Sequence, residues 1–204
     1  QALKYPPGTE VVRLAGFADE PEFDYLRHVP SCPVCRKTFP AYLKANGVGY
    51  DVFRAEAEKL ALDRALEDGA AAAGEDGASL RGIDAVLPSA DTNLPHHFYW
   101  TSRFGINTAT EFIRGCTAAA TNQNPAWRTT LNFGNQLRST LAGSGLDWFE
   151  IFRTGAMNHG ENEDYIAWVK CFQTRGYLMA VMRAACGPGG YDYGPLVAYP
   201  GSTG

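Results

Sequence analysis

Glycine and proline crowd the two ends of this 204-residue chain, and that placement constrains the fold more than any single motif. Of 22 Gly and 12 Pro, nine lie in residues 187–204 and three in the first eight. Glycine adds backbone freedom and proline removes a hydrogen-bond donor, so both interrupt regular structure. Between the ends their frequency is close to the ordinary globular value of about 12%. The chain therefore reads as one α+β domain over 1–186, followed by an extended Gly/Pro/Tyr-rich arm over 187–204. A hydrophobic fraction of 45% with 12% aromatics suffices for a buried core.

Charge and hydropathy remove several classes. The formal net charge is −4, and Lys and Arg form no run, so the clustered basic face that nucleic-acid binding requires is missing. No stretch reaches the ~18 to 20 apolar residues of a bilayer-spanning helix, so no transmembrane segment is expected. Gln1 as the first residue suggests removal of a targeting segment and, with it, an exported or organellar location. Five cysteines (Cys32, Cys35, Cys116, Cys171, Cys186) are too few for a disulfide scaffold.

Local patterns predict the elements. Val11–Ala15 reads as a strand. Residues 32–46 read as a helix stopped by Asn46-Gly47, with Pro40 marking a kink or break. Residues 51–68 form the clearest helix, with Phe53, Ala57, Leu60 and Ala61 on one stripe, and 79–86 a short one. Phe98–Thr101 reads as a strand or aromatic segment. Thr108-x-x-Glu111 matches a capping box opening a helix through Cys116, and Asn124-Pro125 opens another helix toward Gly143. Three aromatic and β-branched runs follow, at 146–153, 165–172 and 177–183. Parted by a polar loop at 154–164 and a turn at 173–176, they predict a C-terminal three-stranded antiparallel meander.

The sharpest chemical signal is Ser31-Cys32-Pro33-Val34-Cys35. Two thiols separated by two residues at a helix start can close a small-ring disulfide, and the helix N-terminus favours the thiolate of the first. Together with Leu43, Asn46-Gly47-Val48 and Tyr50, the stretch over 32–50 resembles the active-site segment of glutaredoxins. That resemblance implies a nucleophilic Cys32 and a resolving Cys35. The Val-Pro pair of that family has its nearest counterpart in Leu94-Pro95.

Other readings compete for the same residues. Cys32-Pro-Val-Cys35-x-x-x-Phe39 also resembles the first half of a C2H2 zinc finger, and zinc held by His28, Cys32, Cys35 and a distant fourth ligand such as His96 or His97 is one arrangement. Adjacent His96 and His97 can serve a metal or a proton transfer, but on a strand they point to opposite faces. Cys116 shares an apolar stripe with Phe112 and Ile113 and reads as a core cysteine, and His159–Asp164 as a solvated turn lacking the pattern of a calcium loop. In the uncharged arm, Tyr191, Tyr193 and Tyr199 offer large contact area to a protein partner.

The leading expectation is therefore a non-catalytic interaction or assembly subunit that docks to a larger protein complex through its C-terminal arm. The alternatives are a thiol-disulfide oxidoreductase using Cys32 and Cys35, or a small hydrolase built around His96/His97 or His159 with an unidentified small-molecule substrate.

Overall fold

The computed structural model describes residues 14–19, 25–59, 82–132, 145–159, 161–164, 172–187 and 194–197. The chain falls into two compact units, one of residues 24–107 and one that joins 1–23 to 108–204.

The described residues of the 24–107 unit are helices and the turns that join them. A single turn, α1 (Tyr25–His28), precedes α2 (Pro33–Ala45). Pro33 sits in the first turn of α2, where its missing N–H costs nothing. Pro40 lies inside α2 without breaking it, its ring buried. The Asn46-Gly47 stop is as expected: Gly47 adopts φ +70°, its N–H reaches the Lys44 carbonyl at 3.0 Å, and the Val48 N–H reaches that of Leu43 at 3.0 Å. Buried Leu43 and Val48 share one core cluster and complete this Schellman stop. A 3-10 turn (Tyr50–Val52) leads into α3, described over 54–59, and a second 3-10 turn (Ile83–Ala85) lies in the expected 79–86 helix. The rest of the 51–68 and 79–86 helices lies outside the described residues.

This core is aromatic. Phe39 meets Phe104 edge-on with ring centroids 5.5 Å apart, and Tyr42 meets Phe104 at 5.2 Å. Such pairs add about 0.5–1.5 kcal/mol beyond area burial. The approach of Tyr25 to α4 (Pro95–Gln123) depends on Gly105. A Cβ at Gly105 would collide with the Cβ and Cγ of buried Tyr25. Gly105→Ala is therefore expected to destabilise this unit by roughly 1–3 kcal/mol, despite the better helix propensity of alanine. Thermal unfolding checks this, and an unchanged or raised Tm would contradict the close packing.

The boundary between the units falls inside α4, after Asn107. That helix begins thirteen residues before the expected capping box, so Thr108 and Glu111 are interior positions. Phe98–Thr101, expected as a strand or aromatic segment, is its second turn. Buried residues recur along it at helical spacing (Ile106, Ala109, Ile113, Thr117), which carries the helix through the Thr108 signal.

The other unit alternates strands with helices. Strands β1 (Leu14–Asp19), β2 (Arg128–Asn132), β3 (Glu161–Asp164) and β4 (Gly194–Val197) pair in the order β1-β2-β3-β4, each pairing parallel. The β1–β2 ladder matches Ala15 with Thr129 and shifts register between Gly16 and Asp19. Parallel neighbours cannot be joined by tight turns and need crossovers, usually helical. Here α4 precedes β2, α5 (Trp148–Arg153) lies between β2 and β3, and α6 (Phe172–Cys186) between β3 and β4.

The expected α+β class with an antiparallel meander is overturned by this arrangement. The described residues are mostly helical, and the 146–153 and 177–183 runs are the crossovers rather than the strands. In α5, Asp147 caps the helix by accepting the Glu150 N–H at 3.1 Å. Trp148, Ile151 and Phe152 then bury one face while Phe149 remains exposed, which is 3.6-residue spacing and not alternation. In α6, Met182 and Ala185 are buried three apart and Tyr177 is exposed, and the expected 173–176 turn lies within this helix. The 165–172 run lies outside the described residues up to Phe172, which opens α6. Likewise the helix expected from Asn124 gives way to β2 at Arg128, and part of the expected 154–164 loop is β3.

Residues of these crossovers and of β2 form the core of the unit, a cluster including Ile113, Leu131, Leu146, Trp148, Ile151, Met157 and Met182. A buried polar seam runs beside it. The Thr117 hydroxyl donates to the Ala156 carbonyl at 2.6 Å and lies 3.0 Å from the Thr129 hydroxyl, while the Asn158 side-chain oxygen accepts the Thr129 N–H at 2.7 Å. Buried polar atoms so paired escape the desolvation cost of about 1–3 kcal/mol that each would incur alone.

Candidate functional site

The Cys32–Cys35 pair lies at the start of α2. Cys32 is the N-cap, with extended backbone (φ −75°, ψ 118°), and its carbonyl accepts the Arg36 N–H at 2.9 Å. The Cys32 Sγ takes the place that a Ser or Asp oxygen fills at most caps, accepting the Cys35 N–H at 3.3 Å. The two cysteines come within 3.0 Å of one another, and neither is in a disulfide. Upstream, the Cys32 N–H donates to the His28 carbonyl at 2.9 Å and the Ser31 hydroxyl to the same carbonyl at 3.1 Å, which fixes the approach to the cap.

The two thiols are driven in opposite directions. Hydrogen bonds from the Cys35 side chain and then from its backbone N–H hold the Cys32 thiol below its ordinary value of 9.0, outweighing a smaller desolvation effect. Burial pushes the Cys35 thiol up to about 11, and the hydrogen bond and negative charge of Cys32 add to that rise. Both thiols are half-buried; a cap-stabilised thiolate is nucleophilic, and a neutral thiol of higher pKa beside it is placed to resolve a mixed disulfide.

A second constellation in this unit joins the His96-His97 pair, visible in the sequence, to Glu56, which was not. The Glu56 carboxylate of α3 reaches the first turn of α4 and holds both histidines there. Its Oε1 lies 2.8 Å from the His96 N and 2.7 Å from His96 Nδ1, and its Oε2 lies 3.1 Å from the His97 N and 2.6 Å from His97 Nδ1. A carboxylate only accepts, so each ring carries its proton on Nδ1 and, when neutral, presents Nε2 as a lone pair. Because the two residues lie on a helix rather than the expected strand, both can turn toward one group. His97 is buried, with Phe53 edge-on at 4.9 Å, and His96 is exposed.

Glu56 thus caps a helix that starts 39 residues downstream of it. Its side chain is 9% exposed. Burial pushes the carboxyl up, but hydrogen bonds from the His97 ring, the two backbone N–H groups and the His96 ring outweigh this and hold it at about 2. Its only local signal is its position three residues after Phe53, beside the apolar stripe of α3.

The remaining expected site residues do not converge. Among the described residues no three His, Cys, Asp or Glu side chains gather to hold a metal ion, so the set His28, Cys32, Cys35 and His96 is not brought together as a zinc site. His28 is exposed at the end of α1, and His96 is held through Nδ1 by Glu56. Cys116 is half-buried on α4. His159 is buried, its N–H donating to the Thr129 carbonyl at 3.1 Å. Burial pushes the Cys186 thiol up to about 11. Tyr191, Tyr193 and Tyr199 lie outside the described residues, and Gly194–Val197 of the same arm pairs with β3. No described helix is long and apolar enough to cross a membrane.

No protein-family model matches the chain, and neither a curated protein nor a solved structure does. The fold and site rest on their own geometry.

Proposed function

We propose that the chain is a thiol-disulfide oxidoreductase with Cys32 as nucleophile and Cys35 as resolving thiol. The observation that carries this reading is the asymmetry of the pair. Cys32 Sγ sits on the helix cap and accepts the Cys35 N–H, while Cys35 is the more buried thiol with the higher pKa. A core cysteine pair of purely structural role has no need of that difference.

In the reductive direction the Cys32 thiolate attacks one sulfur of a substrate disulfide. A Cys32–substrate bond forms, and the other substrate sulfur leaves as a thiolate and takes up a proton. The Cys35 thiol then gives up its proton and attacks Cys32 Sγ, releasing the second substrate thiol and closing the Cys32–Cys35 disulfide. Two electrons pass from the dithiol to the substrate, and an external dithiol restores the starting state.

Equilibration in a dithiothreitol redox buffer, followed by acid quenching and peptide mass mapping, tests the reading. A reversible Cys32–Cys35 disulfide, two hydrogens lighter than the reduced pair, is expected. Persistence of both thiols under oxidising poise, or pairing of Cys32 with another cysteine, would contradict it.

A further inference from the structure

We propose that the Cys32–Cys35 centre acts preferentially on disulfides carried by acidic polypeptide segments, an inference that rests on the dithiol reading above. Residues 25–50 contain Arg27, Arg36, Lys37 and Lys44 and no Asp or Glu, in a chain whose net charge is −4. Lys44 is answered by Asp84 at 2.6 Å, at the far end of α2. Arg36 and Lys37 are exposed in the turn that follows the thiols. Arg36 stands four residues after Cys32, on the same face of the helix.

Charge is only half of the surface. Val34, between the two cysteines, is 70% exposed, among the most exposed of the large hydrophobic residues described. An apolar side chain beside a reactive sulfur, followed by two cations, suits a chain that lays a short apolar contact over Val34 and carboxylates toward Arg36 and Lys37. Opposite charge raises encounter rates and sets preference between partners more than it adds affinity. Exposed pairs of this kind are screened by salt, with a Debye length of about 8 Å at physiological ionic strength.

The test uses the full chain with dithiothreitol as terminal reductant and two peptides of equal length. Each peptide carries one cysteine as a mixed disulfide with 2-mercaptoethanol, flanked by Glu in one and Lys in the other. The neutral 2-hydroxyethyl disulfide is the reference that registers redox competence alone. At low ionic strength the Glu peptide is expected to react about five- to tenfold faster than the Lys peptide after each rate is divided by the neutral-reagent rate. That ratio should fall toward one in high salt. In the doubly reversed variant Arg36→Glu, Lys37→Glu it should invert.

Equal normalised rates for the two peptides, or a preference that survives both salt and charge reversal, would overturn the proposal while leaving the dithiol reading in place. Inertness toward the neutral reagent as well as both peptides would overturn the two together.

Discussion

Cys32→Ser is expected to lower disulfide reduction by at least about a thousandfold, since it removes the only sulfur that sits on the cap of α2. Serine is itself a favoured N-cap, so the substitution should leave the start of α2 and the stability of the protein nearly unchanged. Loss of activity without loss of fold is what separates a chemical role from a structural one. Cys35→Ser has a different expected result. The first attack on 2-hydroxyethyl disulfide survives and releases one 2-mercaptoethanol, but nothing resolves the adduct, so a mixed disulfide with 2-mercaptoethanol should accumulate on Cys32 at one per chain. Intact-mass measurement with peptide mapping reads both outcomes. Retained turnover in Cys32→Ser, or an adduct carried chiefly by Cys116 or Cys186, would place the chemistry elsewhere.

Glu56→Ala should be the most damaging polar substitution in the 24–107 unit. The carboxylate receives two backbone N–H groups and two imidazole Nδ1–H groups, all within 3.1 Å. Removing it strands the first turn of α4 and leaves buried His97 without its acceptor, at a cost of roughly 2–4 kcal/mol. Glu56→Gln keeps an acceptor oxygen but turns an amide N–H₂ toward donors, so it should recover only part of the loss. The pH dependence has a definite sign. The Glu56 carboxyl is held at about 2 in the fold against an ordinary 4.5, so its contribution is fully present above pH 4.5 and disappears as pH falls toward 2. Wild-type unfolding free energy, measured by urea titration, should drop across that window, and the Glu56→Ala curve should be flatter there. Parallel acid limbs in the two proteins would contradict the assignment.

Legibility differed by segment, for physical reasons. The course of α2 was readable because its signals are local: Pro33 in the first turn, a cap residue before it, and Asn46-Gly47 where the left-handed backbone is needed. The thiol pair was readable for the same reason, since two residues separate its members. The last third misled because its aromatic and β-branched composition suggested strands. The decisive cues were the Asp147 cap and the burial of Trp148, Ile151 and Phe152 at helical spacing. Parallel pairing leaves no hairpin turn to find in a sequence, because its partners meet only after a crossover. Thr108-x-x-Glu111 had the capping pattern but lay inside a longer helix whose start was set by Glu56 from another element. Glu56 itself was invisible because a carboxylate that serves donors 40 residues away leaves no spacing to recognise.

The asymmetry of the two thiols is the core of the proposed function, and the pH dependence of alkylation measures it most directly. Reduced protein is treated with iodoacetamide over a series of pH values, and labelling of each cysteine is followed by peptide mass mapping. Cys32 should react first, its rate rising through a midpoint below the ordinary thiol value of 9.0, while Cys35 stays largely unlabelled until pH approaches about 11. Equal labelling of the two along the ordinary thiol curve, or labelling of Cys35 ahead of Cys32, would contradict the account.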